Sequence, residues 1–155
     1  MAKENSSATT APKISMTTEL YYSESNDYSD KEQIFMIQSI PQLQAPSEPV
    51  TYGCLESDTE YQTEGRKKAE SIQIPILYVS AQHDTLKAFA DAKTKLYFMV
   101  KLPNSTAPAN GKPLIEKFSG TIDISLDAIE LDGILQETLT IFKDSSVSEG
   151  KWAET

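Results

Sequence analysis

The sequence predicts a mainly β fold, an antiparallel β-sandwich or barrel with one short flanking α-helix. Three observations predict it. Several segments alternate apolar and polar residues with period two, and one stretch alone, Asp84 to Lys93, changes to helical spacing. The order of strands, one helix, then more strands leaves too few helices for a parallel α/β sheet. At 155 residues, the chain is long enough for one domain with a sizeable core.

The elements follow in order. KISMTTELYY sets Ile14, Met16, Leu20 and Tyr22 on one strand face. EQIFMIQSIP is apolar on both faces through Ile34, Phe35, Met36 and Ile37, as expected of a strand buried on both sides. PVTYGCL is a shorter strand that carries Cys54. ESIQIPILYV aligns Ile72, Ile74, Ile76 and Tyr78, and Pro75 lacks an amide donor, which assigns this strand to an edge or to a bulge. From Asp84 to Lys93, Leu86, Phe89 and Ala90 share a helical face, with Asp84 or Ser80 as the cap. TKLYFMVKL alternates through Leu96, Phe98, Val100 and Leu102 and runs into the turn-rich PNSTAPANGKP. GTIDISLDA alternates Ile122, Ile124, Leu126 and Ala128 with Thr121, Asp123, Ser125 and Asp127. A last strand, about Ile134 to Lys143, places Leu135, Leu139 and Ile141 together. Residues 1–12 read as a flexible polar arm, 13–144 as the β domain and 145–155 as a polar tail.

Composition removes most catalytic chemistry. One cysteine, Cys54, cannot form an internal disulfide, and one histidine, His83, leaves little for zinc, haem or triad sites. Cys54 in a strand reads as a small buried apolar residue, and His83 as an exposed side chain at a helix start beside the capping Asp84. Phosphate-binding and nucleophile-elbow glycine patterns are absent. Glu56, Asp58 and Glu60 alternate like calcium-loop ligands, but Tyr61 stands where that loop needs glycine and Lys67 where it needs its closing carboxylate. No enzyme, metal or cofactor is expected. No stretch has the apolar length of a signal peptide or a membrane span, and the sequons at Asn5 and Asn104 read as chance matches.

The formal net charge is −9, so the chain repels phosphate and is a poor candidate for gripping nucleic acid. Its least monomer-like segment is ESDTEYQTEGRKKAE, residues 56–70, which lacks apolar periodicity. Charge is divided along it: Glu56, Asp58, Glu60 and Glu64 precede Arg66, Lys67 and Lys68, with Tyr61 between. Such a loop either docks head to tail on neighbouring copies or is a solvated hairpin.

The succession VTYGCLESDTEYQTEGRKKAE, SIQIPILYV, DTLKAFADAK, KLYFMVKLPN and FSGTIDISLDAIELDGILQETLTIFKDS resembles the major tail tube proteins of long-tailed, siphovirus-like bacteriophages. The resemblance runs over residues 13–144 and lies in segment order and spacing. It implies a virion protein, assembled in the bacterial cytoplasm, that forms hexameric rings stacked into a tube through which DNA passes unbound. Its partners would be copies of itself, with tape-measure and tail terminator or tip proteins. The type VI secretion tube protein shares that fold. Residues 56–70 and the N-terminal arm would bridge subunits or rings. Asp123, Asp127 and Glu137 would line the lumen if their sheet faces inward; otherwise Asp123 and Asp127 are the solvated face of a half-buried strand. The rival readings are a head-tail connector or decoration protein, a small-ligand β-barrel with an interior cavity, and a hydrolase using a carboxylate pair.

Overall fold

The computed structural model describes residues 17–67 and 70–152. Seven strands form one antiparallel sheet: β1 (Glu19–Ser23), β2 (Glu32–Ile34), β5 (Ser71–Leu77), β6 (Leu96–Lys101), β7 (Leu114–Leu126), β8 (Gln136–Lys143) and β9 (Ser148–Lys151). β3 (Pro49–Tyr52) and β4 (Tyr61–Glu64) make a separate two-stranded ribbon, and α1 spans Ser80–Ala92. The order across the sheet is β2-β1-β6-β7-β8-β5, with β9 beside β7. Just past β2, Ile37 bridges Ile76 of β5, so the two ends of the sheet meet and the sheet curls toward a barrel.

Pro75 sits where the alternation places it. β5 ends the ladder, and among the described residues its far edge carries only the Ile37 bridge, in which the Gln38 amide donates to the Pro75 carbonyl at 2.9 Å. The N and O of one strand residue point to the same side, so the missing proline donor falls on that edge and spares the β8 ladder.

Alternation predicts the core well. Ile72, Ile74 and Ile76 from β5, Leu96, Phe98 and Val100 from β6, Ile122 and Ile124 from β7, and Leu139 and Ile141 from β8 are all buried. Leu20 and Tyr22 of β1 join them, while Ile14 and Met16 lie outside the described residues, as does the arm at 1–12. Phe98 and Phe118 are direct cross-strand partners whose rings stack at 5.4 Å.

Four local expectations are corrected. EQIFMIQSIP is not buried on both faces: β2 ends at Ile34, Phe35 and Met36 are exposed, and Met36 turns left-handed at φ 65°. The chain leaves the sheet there, and Gln82 of α1 takes over the hydrogen bonds of the Phe35 backbone. The helix begins at Ser80 with Val79 as its cap residue, and neither Ser80 nor Asp84 caps it through a side chain. Leu126, Ala128 and Leu135 are exposed although alternation sets them inward, because the β7 and β8 ladder ends between Leu126 and Gln136. Residues 148–151 of the polar C-terminal segment form β9, which extends the path of β8 along β7. Trp152 then stacks on Tyr21 at 5.6 Å, with the Lys101 ammonium 4.4 Å from its ring.

The helix covers one face of the sheet through Leu86, which is buried, and through Phe89, whose ring meets Tyr22 edge-on at 5.8 Å. It is also tied by a polar contact. His83 Nδ1 lies 2.6 Å from Glu137 Oε2, and the Glu137 carboxylate is fully buried on β8. Glu137 Oε1 has no hydrogen-bond partner among the described residues. His83 is thus a half-buried partner rather than an exposed residue, and Glu137 faces the core. Replacing His83 by Ala strands a buried carboxylate and is expected to cost about 3 kcal/mol of stability. Replacing both, His83→Leu with Glu137→Leu, is expected to recover most of that loss. Urea midpoints of the two variants check it; a double variant no better than the single one would refute it.

Candidate functional site

The segment with divided charge is an arm. β3 and β4 pair in register, Val50 opposite Thr63 and Tyr52 opposite Tyr61, and the two tyrosine rings stack at 5.7 Å. The ribbon's root is fastened twice: the Gly65 amide donates to the Glu48 carbonyl at 2.7 Å, and the Ser47 hydroxyl donates to Glu64 Oε1 at 2.5 Å. A Cβ on Gly65 would lie 2.5 Å from that carbonyl, so this close approach requires glycine. The sequence reading of 56–70 as a loop is therefore corrected over Tyr61–Glu64, which is strand. Every residue of β3 and β4 is exposed. Without a buried face there is no selection for alternation, which is why Tyr61–Glu64 gave no strand signal, whereas PVTYGCL does hold β3.

Charge is divided in space as well as in sequence. Glu56, Asp58 and Glu60 lie in the tip connecting β3 to β4, whereas Glu64, Arg66 and Lys67 lie at the root; Lys68 falls outside the described residues. Cys54 stands at the tip and is exposed, contrary to the buried role expected of it, because β3 ends two residues earlier. A two-stranded ribbon alone is marginally stable in water. This one also exposes Val50, Tyr52, Tyr61 and Leu55, the last completely.

The three acids grouped by sequence do not share a surface. Asp123 is exposed on β7, and its Oδ1 accepts the Ile124 amide at 2.9 Å. Asp127 follows β7 half-buried and accepts the Thr138 hydroxyl at 2.7 Å. Glu137 pairs across from Leu126 and turns inward to His83, so it is separated from the other two by the sheet itself. The period-two pattern of β8 already set Glu137 with Leu139 and Ile141, and that was the signal for its burial.

Among the described residues the interior is filled by side chains such as Leu20, Ile74, Phe98 and Ile141. A groove of about 920 Å³ runs beside residues 37–44, lined by Ile40, Leu43, Val100, Leu102, Glu116 and Glu149 among others. Among the described residues no cluster of three His, Cys, Asp or Glu side chains could hold a metal ion, and no helix is long and apolar enough to cross a membrane.

Glu116 and Glu149 are direct cross-strand partners in this groove. Burial, with the Glu149 charge in addition, pushes the Glu116 carboxyl above its usual range. The folded state therefore holds this proton more tightly than the unfolded state. Stability from this group is full below the ordinary carboxylate pKa and is lost as pH rises through the raised folded value. Glu116→Gln is expected to raise stability at pH 7 by about 0.5 kcal/mol after solvent screening, with no gain in acid where both forms are neutral. Thermal melts at the two pH values read this; an equal effect at both would refute it.

No protein-family profile matches the chain, and no curated protein matches it. A solved structure does. The chain is similar in fold to one chain of a structure described as "Cryo-EM structure of the anti-feeding prophage (AFP) baseplate, 6-fold symmetrised". The TM-score is 0.62 at 9% identity, and the match covers 91% of this chain and 97% of that one. At that identity the likeness establishes a shared fold over nearly the whole of both chains.

Proposed function

We infer that this protein is a structural subunit of a phage tail or phage-tail-like particle, working by polymerisation rather than catalysis. Its copies form hexameric rings, and the rings stack into a tube that serves as a conduit for DNA. The observation that carries this reading is the fold shared with a chain of a prophage baseplate over nearly its full length, in a particle treated with six-fold symmetry. The exposed arm supports it, since a ribbon with apolar side chains and divided charge suits contact with further copies. So does the net charge of −9, because an acidic wall repels phosphate and leaves DNA free to slide. In this arrangement Asp123 and Asp127 line the lumen, the arm residues Glu56 to Lys68 bridge copies, and tape-measure and tail terminator or tip proteins are further partners.

A second reading, a ring that remains single within a baseplate or connector, is favoured by the baseplate origin of the structural neighbour. Negative-stain electron microscopy of concentrated protein separates the two. Tubes of uniform bore are expected; isolated rings favour the second reading, and monomers at every salt and protein concentration refute both. Reversing Arg66, Lys67 and Lys68 to Glu is expected to raise the concentration needed for assembly about tenfold or more while leaving the circular dichroism of the subunit unchanged. Assembly at the wild-type threshold would refute the bridging role of the arm.

A further inference from the structure

We propose that the segment Lys13 to Met16 lies in the groove beside residues 37–44 of its own subunit, crossing the sheet's inner face from β1 to β9. The inference concerns the single subunit, so it stands apart from the assembly reading. Strand register lays out the groove's floor. Leu20, Val100, Glu116 and Glu149 stand directly opposite one another across β1, β6, β7 and β9, and directly paired residues share a face. Leu20 and Val100 are buried in the core, so both carboxylates lie on the core-facing side. Leu102, Leu43 and Val147 add apolar lining. Lys67 is the one cation among the described lining residues. Two carboxylates against it leave the groove net negative.

Position, length and charge identify the occupant. Thr17 and Thr18 form one lip of the groove, and residues 1–16 lie outside the described residues. Thr17 is left-handed at φ 72°. A β-branched residue keeps that conformation only where its surroundings hold it, and here it turns the chain off the line of β1 at the groove's edge. Lys13 stands four residues before Thr17, an extended span of about 13 Å. Three strand spacings lead from β1 through β6 and β7 to β9, about 14 Å. The lengths match. Lys13 is also the only charged residue from 5 to 16. It arrives at the Glu149 end, with Ile14 and Met16 behind it over the apolar floor. The same segment of a second copy offers the same chemistry, but the subunit's own orders only four residues from a fixed end, at high effective concentration. Seated there, it closes the groove to other partners.

Two measurements test this. In a Cys54→Ser background, protein carrying Lys13→Cys with Glu149→Cys is oxidised with copper phenanthroline. An intramolecular disulfide is expected, at a yield that does not change with protein concentration and is about fivefold or more above that of Lys13→Cys with Thr85→Cys on α1. Equal yields overturn the proposal, as does a disulfide between copies whose yield rises with concentration. Separately, thermolysin cleavage between Ser15 and Met16, taken relative to the urea-unfolded chain, reads how often the segment leaves the groove. Lys13→Glu is expected to speed cleavage about threefold or more, and adding Glu149→Lys to restore the wild-type rate. An unchanged rate in the single variant, or no recovery in the swapped pair, overturns it.

Discussion

The architecture depends on how closely β7 approaches β8 at Gly120. A Cβ there would lie 2.1 Å from the Phe142 carbonyl oxygen, so no larger residue fits without moving a strand. At this residue β7 changes partners: its first half pairs with β6 on one edge and β9 on the other, and its second half pairs with β8. A strand of 13 residues can then serve as the spine of the sheet while the chain curls around it. Ser119 and Asp144 close the gap between β8 and β9, the Ser119 hydroxyl donating to Asp144 at 2.6 Å. That hydrogen bond, followed by the nearby Lys95 ammonium, holds the Asp144 carboxyl below its usual range.

Around this spine the energy is mostly apolar burial. The contacts that fix geometry are few and polar. The single-bridge closure at Ile37 and Ile76 joins the sheet's ends. The Glu137 and His83 contact fixes the helix over them. The arm stands outside this economy altogether, with its own two-stranded pairing and little buried surface. A rigid barrel bearing an uncommitted ribbon is the kind of subunit whose stability and whose association can be altered separately.

Much of the barrel was legible in the sequence because alternation reports directly on which face is buried. Ile72, Ile74, Ile76, Ile122, Ile124, Leu139 and Ile141 all face inward as the period requires. Alternation failed where burial stopped discriminating. Phe35 and Met36 are apolar yet exposed because the chain leaves the sheet, and Tyr61–Glu64 pairs without a buried face. The relation between Glu137 and His83 was hidden for another reason: the two are 54 residues apart and meet only when the helix folds over β8. Charge division in residues 56–70 was visible, but its arrangement, with Glu56, Asp58 and Glu60 at the tip and Glu64 beside Arg66 and Lys67 at the root, needed the hairpin.

The lone tryptophan offers an unplanned spectroscopic window. Trp152 lies just beyond β9, packed on Tyr21 with Lys31 and Lys101 near its ring, and its amide donates to the Pro113 carbonyl. Its emission therefore registers whether the last strand is seated on β1 and β7, independently of the aliphatic interior. A subunit whose C-terminal strand peels away would change colour before its barrel melts, which gives detachment at that edge an optical signature of its own.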